Sequence, residues 1–229
     1  MKRTATLFWM VLAVAACCTT TARAQFGFGL GLAAIGDNIS QAGGELGDLI
    51  RDDSISYGDI SGNIGFYVSA RARFEMGMLR LLGDASYVYF QSSEITLTDA
   101  AVNLQDSTVD ATFEVGTSMI PVQVGVGVAL PVPVVKPYLA AHFGYTFVNR
   151  TYTFVSGSDE LRRLDVGNRS AGDPEVGLAF SAGAEVALGI ATLDVGLRYN
   201  LANLFTTSDG EEPMRYLQVG ASLIFGGDL

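Results

Sequence analysis

Bulky and small side chains alternate strictly through most of this chain. Phe26, Phe28, Leu30, Leu32 and Ala34 are apolar, while Gly27, Gly29, Gly31 and Ala33 between them are minimal. Residues two apart share one face of a strand, so the segment is a strand with one greasy and one bare side. The pattern returns where Ile64, Phe66, Val68, Ala70, Ala72, Phe74 and Met76 interleave with Gly65, Tyr67, Ser69, Arg71, Arg73 and Glu75. Ala85, Tyr87 and Tyr89 oppose Asp84 and Ser86, and the run of alternate apolar residues from Ile120 to Leu130 opposes Gln123, Gly125, Gly127 and Ala129. Pro121 stands where the earlier phase of Phe113 and Val115 has to slip, which predicts a bulge. Leu139 to Phe147, Val176 to Leu188, Leu193 to Leu201 and Leu217 to Phe225 complete the set, which predicts eight strands.

The connections alternate as well. Ile35 to Gly62, Gln91 to Ala111, Ser156 to Asp173 and Thr206 to Pro213 are long and polar. Gly77 to Leu82, Pro131 to Val134 and Gly189 to Ala191 are short turns. Long loops at one end, tight turns and both termini at the other, is the arrangement of a bacterial outer-membrane barrel. The predicted fold is all-β: an eight-stranded antiparallel up-and-down transmembrane β-barrel with short periplasmic turns and long extracellular loops. Its apolar face meets lipid. A secreted soluble barrel of lipocalin type would invert the faces and dress the outer one in Lys, Glu and Thr, whereas here the second face is mostly Gly, Ala and Ser. Small residues suit the narrow lumen of eight strands, and Tyr87, Tyr89, Tyr145, Phe147, Tyr199 and Phe225 fall where interfacial aromatic girdles lie.

Composition agrees with that picture. Of 229 residues, 49% are hydrophobic and 17% charged, too apolar for a disordered chain, yet no apolar run reaches the ~20 residues of a spanning helix. Lys2 and Arg3, the apolar stretch from Leu7 to Ala16 and the small-x-small site Ala22-Arg23-Ala24 read as an export signal at residues 1–24, with the barrel domain at 25–229. Val14-Ala15-Ala16-Cys17 offers a lipobox alternative in which Cys17 is acylated. Cleavage after Ala24 discards Cys17 and Cys18, leaving no thiol chemistry. It also removes three positive charges, Lys2, Arg3 and Arg23, taking the formal net charge from −10 to −13. No Lys/Arg cluster of the kind phosphate backbones require is present, so nucleic acid is not an expected partner.

From Gln25 to Leu229 the chain resembles the small outer-membrane barrels of the OmpA transmembrane-domain and OmpX type, a resemblance of pattern rather than of a fixed motif. It implies a monomer in the bacterial outer membrane, among outer-membrane lipids and lipopolysaccharide. Such barrels close on a terminal aromatic read by the barrel-assembly machinery, whereas Phe225 here is followed by Gly226-Gly227-Asp228-Leu229. No appended periplasmic domain is expected.

The chemistry that remains lies in the lumen and the loops. Arg71, Arg73, Glu75, Asp84, Glu185, Asp194 and Arg198 face inward on the predicted strands. Antiparallel pairing is expected to set Glu75 near Asp84 and Glu185 near Asp194, and the like charges require the arginines to bridge them. The expected result is a structural, salt-bridged plug toward the periplasmic mouth. Lipid-modifying barrel enzymes need a Ser-His pair, and His142 has no serine two residues away on its strand, so no enzyme is expected. No cofactor and no metal site are expected either, because no paired His, Cys or carboxylate spacing suggests one. The loops are acidic. Asp37, Glu45, Asp48, Asp52, Asp53 and Asp59 lie in the first, where residues 38–50 have helical spacing, and Glu94, Asp99, Asp106 and Asp110 lie in the second. The third mixes Arg162, Arg163 and Arg169 with acids, and the fourth carries Asp209, Glu211 and Glu212. Acidic loops suit divalent cations bridging lipopolysaccharide, and the arginines suit its phosphates. The expected role is structural or adhesive, through these loops on a closed barrel. A narrow gated channel, a lipid-modifying enzyme and a soluble ligand-binding barrel are the alternatives.

Overall fold

The computed structural model describes residues 23–35, 64–102, 107–157, 174–206 and 214–226. The strands are β1 (Arg23–Ile35), β2 (Ile64–Met76), β3 (Leu79–Val102), β4 (Ser107–Ala129), β5 (Val135–Gly157), β6 (Pro174–Ala187), β7 (Ala191–Leu201) and β8 (Arg215–Phe225). They form one closed antiparallel barrel in chain order, with β8 returning to β1 through pairs from Phe26↔Phe225 to Ile35↔Tyr216. Closure leaves no edge in the barrel wall, which backbone amides in hydrocarbon require. Residues 1–22 of the expected export signal, Cys17 among them, the 38–50 helix and the acidic or mixed stretches at 36–63, 158–173 and 207–213 lie outside the described residues, while Arg23 and Ala24 of that signal form the start of β1.

The two faces differ as the alternation demands. Phe28, Leu30, Val124 and Leu139 point outward and are 65–69% exposed, while Gln123, Glu185, Asp194 and Arg198 point inward and are at most 6% exposed. An apolar exterior around an ionic interior is stable only if the exterior meets lipid, because in water the same arrangement would leave the hydrophobic surface unburied.

Three elements depart from the sequence reading. The first turn is not Gly77 to Leu82 but the pair Gly77-Met78, with Gly77 at φ +67°, and β3 starts at Leu79. This tighter turn sets Glu75 opposite Arg80 and Arg71 opposite Asp84, so Glu75 and Asp84 are not paired. Secondly, the connection from Gln91 to Ala111 is largely strand. β3 runs to Val102 and β4 starts at Ser107, with Glu94↔Glu114, Ile95↔Phe113 and Thr96↔Thr112 among the pairs. Polar and β-branched residues give this strand pair a composition that resembles a loop. Thirdly, Pro121 carries no bulge. It pairs with Thr146 in unbroken register, and the β3–β4 ladder skips its position, where its missing N–H costs nothing. The register shifts lie elsewhere, between Phe90 and Ser93, between Leu97 and Ala100, and between Thr112 and Phe113.

β3, β4 and β5 contain 24, 23 and 23 residues, about twice the ~9–11 that cross a membrane. The described pairing of β2 with β3 ends at Gly65↔Phe90, and that of β6 with β5 at Phe147↔Pro174. Beyond those points the three strands continue together as an extension on the extracellular side. Residues 91–102 alone carry β3 on the order of 40 Å further at ~3.3 Å per residue.

Candidate functional site

Antiparallel registration stacks the inward residues in layers. Nearest the periplasmic turns is the ionic layer. Glu185 of β6 lies directly opposite Asp194 of β7, two carboxylates on adjacent strands. Their counter-ions come from across the barrel. Arg80 grips Glu185 with both terminal nitrogens at 2.6 and 2.8 Å, Arg73 Nη1 donates to the same carboxylate, and Arg71 Nη1 reaches Asp194 at 2.7 Å. Asp84 is held from two sides, by Arg71 Nε at 2.9 Å and by Arg198 at 2.6 and 3.1 Å. Glu75 lies 2.8 Å from Arg80 and 3.6 Å from Arg73 at the periplasmic edge, and Gln25 accepts from Arg73 Nε.

The seven charges singled out in the sequence therefore pair, with an eighth, Arg80, in two adjoining groups: Arg71 and Arg198 with Asp84 and Asp194, and Arg73 and Arg80 with Glu75 and Glu185. Four arginines face four carboxylates. The sequence pattern places Arg80 in a turn, and only the observed turn length puts it inside. Tyr138 lies beneath its guanidinium, 5.9 Å from ring centre to Arg80 Cζ. The enclosed space among Arg80, Asp84, His142, Asp194 and Arg198 is a cavity of about 40 Å³, with room for about one water.

Above this layer lies a neutral polar one. Gln123 Nε2 donates to Asn200 at 3.2 Å, Asn200 Nδ2 donates to Gln218 at 3.2 Å, and His142 Nε2 lies 2.9 Å from Ser181 Oγ. Ser181 comes from the neighbouring strand, diagonally across the β5–β6 ladder, where spacing along one strand could not reveal it. His142 and Ser181 are 3% and 8% exposed, and His142 Nδ1 has no partner among the described residues. A serine activated for acyl transfer needs an oriented base and a route for the ester, and both groups here are enclosed.

A row of glycines crosses these layers. Tyr138, Gly183, Gly196, Gly220, Gly31 and Tyr67 are consecutive partners around β5, β6, β7, β8, β1 and β2. A Cβ on Gly183 or Gly196 would lie 2.6 or 2.7 Å from the Tyr138 hydroxyl, and one on Gly31 would lie 2.8 Å from the Tyr67 ring. The two tyrosines thus lie flat along a strip that only glycine leaves free.

Toward the extracellular end the interior turns apolar. Tyr67, Val88, Phe90, Met119, Val148, Met214 and Tyr216 form a buried cluster, and Phe90 meets Tyr216 edge-on at 6.2 Å. Met119 points into the lumen here, and Val115, whose phase suggested a slip in β4, is buried further along the same strand. Below the ionic layer, in contrast, the barrel opens into a vestibule of about 400 Å³ lined by Arg73, Glu75, Lys136, Glu185 and Thr192.

A family profile described as outer membrane protein beta-barrel domain matches residues 9–225. The chain belongs to the outer membrane protein beta-barrel domain family. Membership places this barrel in the bacterial outer membrane, with the apolar exterior against lipid and the turns Gly77-Met78, 130–134 and 188–190 at the periplasmic end. Among solved structures the barrel is similar to neisserial surface protein A (NspA), with 15% identity over 90% of this chain and 99% of that one and a TM-score of 0.48. It is also similar to the translocator domain of the autotransporter NalP from Neisseria meningitidis, at 10% identity, 98% and 95% coverage and a TM-score of 0.28. No curated protein matches at a significant level.

Proposed function

We propose that this outer-membrane barrel is a sealed anchor that presents an extracellular surface for structural or adhesive contacts, rather than a conduit or an enzyme. The observation that carries this reading is the extension of β3, β4 and β5 beyond the barrel. A barrel needing ~9–11 residues per strand has no use in the bilayer for 23 or 24, so the extra length serves the outside. The extension is acidic at the described pair Glu94 and Glu114, which face each other and are exposed. Such a surface suits divalent cations and the lipopolysaccharide they bridge.

The lumen supports the same reading. Passage from the vestibule would have to break the ionic layer, cross the tyrosine and glycine strip and part the apolar cluster. Uncompensated separation of buried pairs costs several kcal/mol each. The Ser181–His142 pair sits between those barriers, away from any membrane ester.

The test removes residues 93–115, joining Ser92 to Gly116, whose position lies beside the Ser92 hydroxyl. Cells expressing the intact protein should attach to surfaces or to one another more than empty-vector cells do. Cells with the shortened protein should lose that gain while the barrel still shows heat-dependent gel mobility. No gain from the intact protein, or an equal gain from the shortened one, would refute the reading.

A further inference from the structure

We infer that the periplasmic mouth of the barrel holds the headgroup of an anionic glycerophospholipid from the inner leaflet, with Lys136 as the cation for its phosphate. Three observations converge on this site. The first is charge. The four arginines and four carboxylates of the ionic layer are committed to one another. Lys136 is opposite Glu185 in register, but Glu185 is already taken by Arg80 and Arg73, and among the described residues Lys136 has no ion-pair partner. Among the described residues of the barrel domain at 25–229, the mouth therefore carries one positive charge beyond that balance.

The second is space. The vestibule of about 400 Å³ opens to the periplasmic side and ends blindly at the ionic layer, where Arg73 is paired with Glu75 and Glu185; Lys136, Gln25 and Thr192 are its remaining polar walls. The third is depth. Its rim is apolar to the tips of the turns: Ile190 is 82% exposed, Val134 72%, Leu188 55% and Leu130 50%, with Met78 and Phe225 close behind. Exposed side chains of this kind in every periplasmic turn are favourable only where hydrocarbon or the interface covers them. The turns thus sit at the boundary of the inner leaflet, and the vestibule opens among headgroups rather than into bulk water. A lysine on a four-carbon stem at that level reaches phosphate, and basic pockets at such a boundary bind anionic headgroups.

The probe is phosphatidylglycerol, compared with phosphatidylcholine of the same acyl chains and with laurate. Each is added to the refolded protein in detergent and counted as lipid retained per protein by native mass spectrometry. The expected result is preferential retention of phosphatidylglycerol, reduced about fivefold in Lys136→Gln, the effect of one lysine near an anionic surface, and restored in Lys136→Arg. Heat-dependent gel mobility shows that each variant is folded. Arg215→Gln, an exposed arginine at the opposite end of β8, should leave retention unchanged. Equal retention of the two phospholipids, retention of laurate in their place, an unchanged Lys136→Gln, or an equal loss in Arg215→Gln would each overturn the inference.

Discussion

Glu185 is the best single position from which to measure the ionic layer. Its two oxygens accept both terminal nitrogens of Arg80 at 2.6 and 2.8 Å and a further contact from Arg73, and it is 3% exposed. Glu185→Gln keeps the shape and removes the charge, leaving four arginines with three carboxylates in a region that water barely enters. Removing one partner of a buried, hydrogen-bonded pair costs about 3–5 kcal/mol, because the remaining charge stays desolvated without compensation. Arg80 retains Glu75 at 2.8 Å, which puts the expected loss toward the lower end of that range. The assay is urea unfolding of the barrel in lipid vesicles, with the folded fraction read as the band of altered mobility on unboiled gels. Trp9, the sole tryptophan, lies ahead of the barrel, so tryptophan fluorescence would not report on it. Glu94→Gln, at an exposed carboxylate on the extension, should stay within about 0.5 kcal/mol of wild type. Adding Arg80→Met to Glu185→Gln should return at least about 1 kcal/mol, because the stranded guanidinium is then gone. A loss below about 1 kcal/mol for Glu185→Gln, or one equal to that of Glu94→Gln, would refute a stabilising role for the layer.

Gly196→Ala should destabilise the barrel by about 1–3 kcal/mol in the same assay, because its Cβ would meet the Tyr138 hydroxyl at 2.7 Å. Tyr138→Phe in the Gly196→Ala background should recover part of that loss, and no recovery would show that the conflict lies in the backbone instead. In planar bilayers both wild type and Arg73→Ala should pass negligible current, since the apolar cluster remains closed when the ionic layer is loosened; a current that rises in Arg73→Ala would favour the channel alternative.

Much of the architecture is legible in residue alternation, because each strand has lipid on one side and a crowded lumen on the other, and a period of two records that contrast directly. β2 is bounded by Ile64 and Met76 in both the sequence and the structure. The legibility fails where the contrast fails. Along residues 91–111 the sequence is mostly polar and β-branched, without the apolar stripe of the other strands, and so reads as a loop. In the extracellular half of the lumen, Val88, Phe90 and Met119 are apolar on the inward side, and the rule that polar means inside no longer holds. The ionic layer was readable as a set of inward charges but not as a set of partners. Partners depend on turn length: a two-residue turn at Gly77-Met78 moves Asp84 from Glu75 to Arg71 and brings Arg80 inside. Ser181 and His142 meet across two strands, which no spacing within either strand encodes.

The central claim is that the bulky face of every strand touches hydrocarbon while charge is confined to the interior. Single cysteines at Val124 and Leu139, 65% and 68% exposed on the outer face, and at Ser92 on the extension can each carry a small fluorophore. The only native cysteines, Cys17 and Cys18, lie ahead of the barrel. In reconstituted vesicles, brominated acyl chains should quench the labels at positions 124 and 139 and spare position 92, and aqueous iodide should do the reverse. Quenching of positions 124 and 139 by iodide, with brominated lipid without effect, would contradict the account.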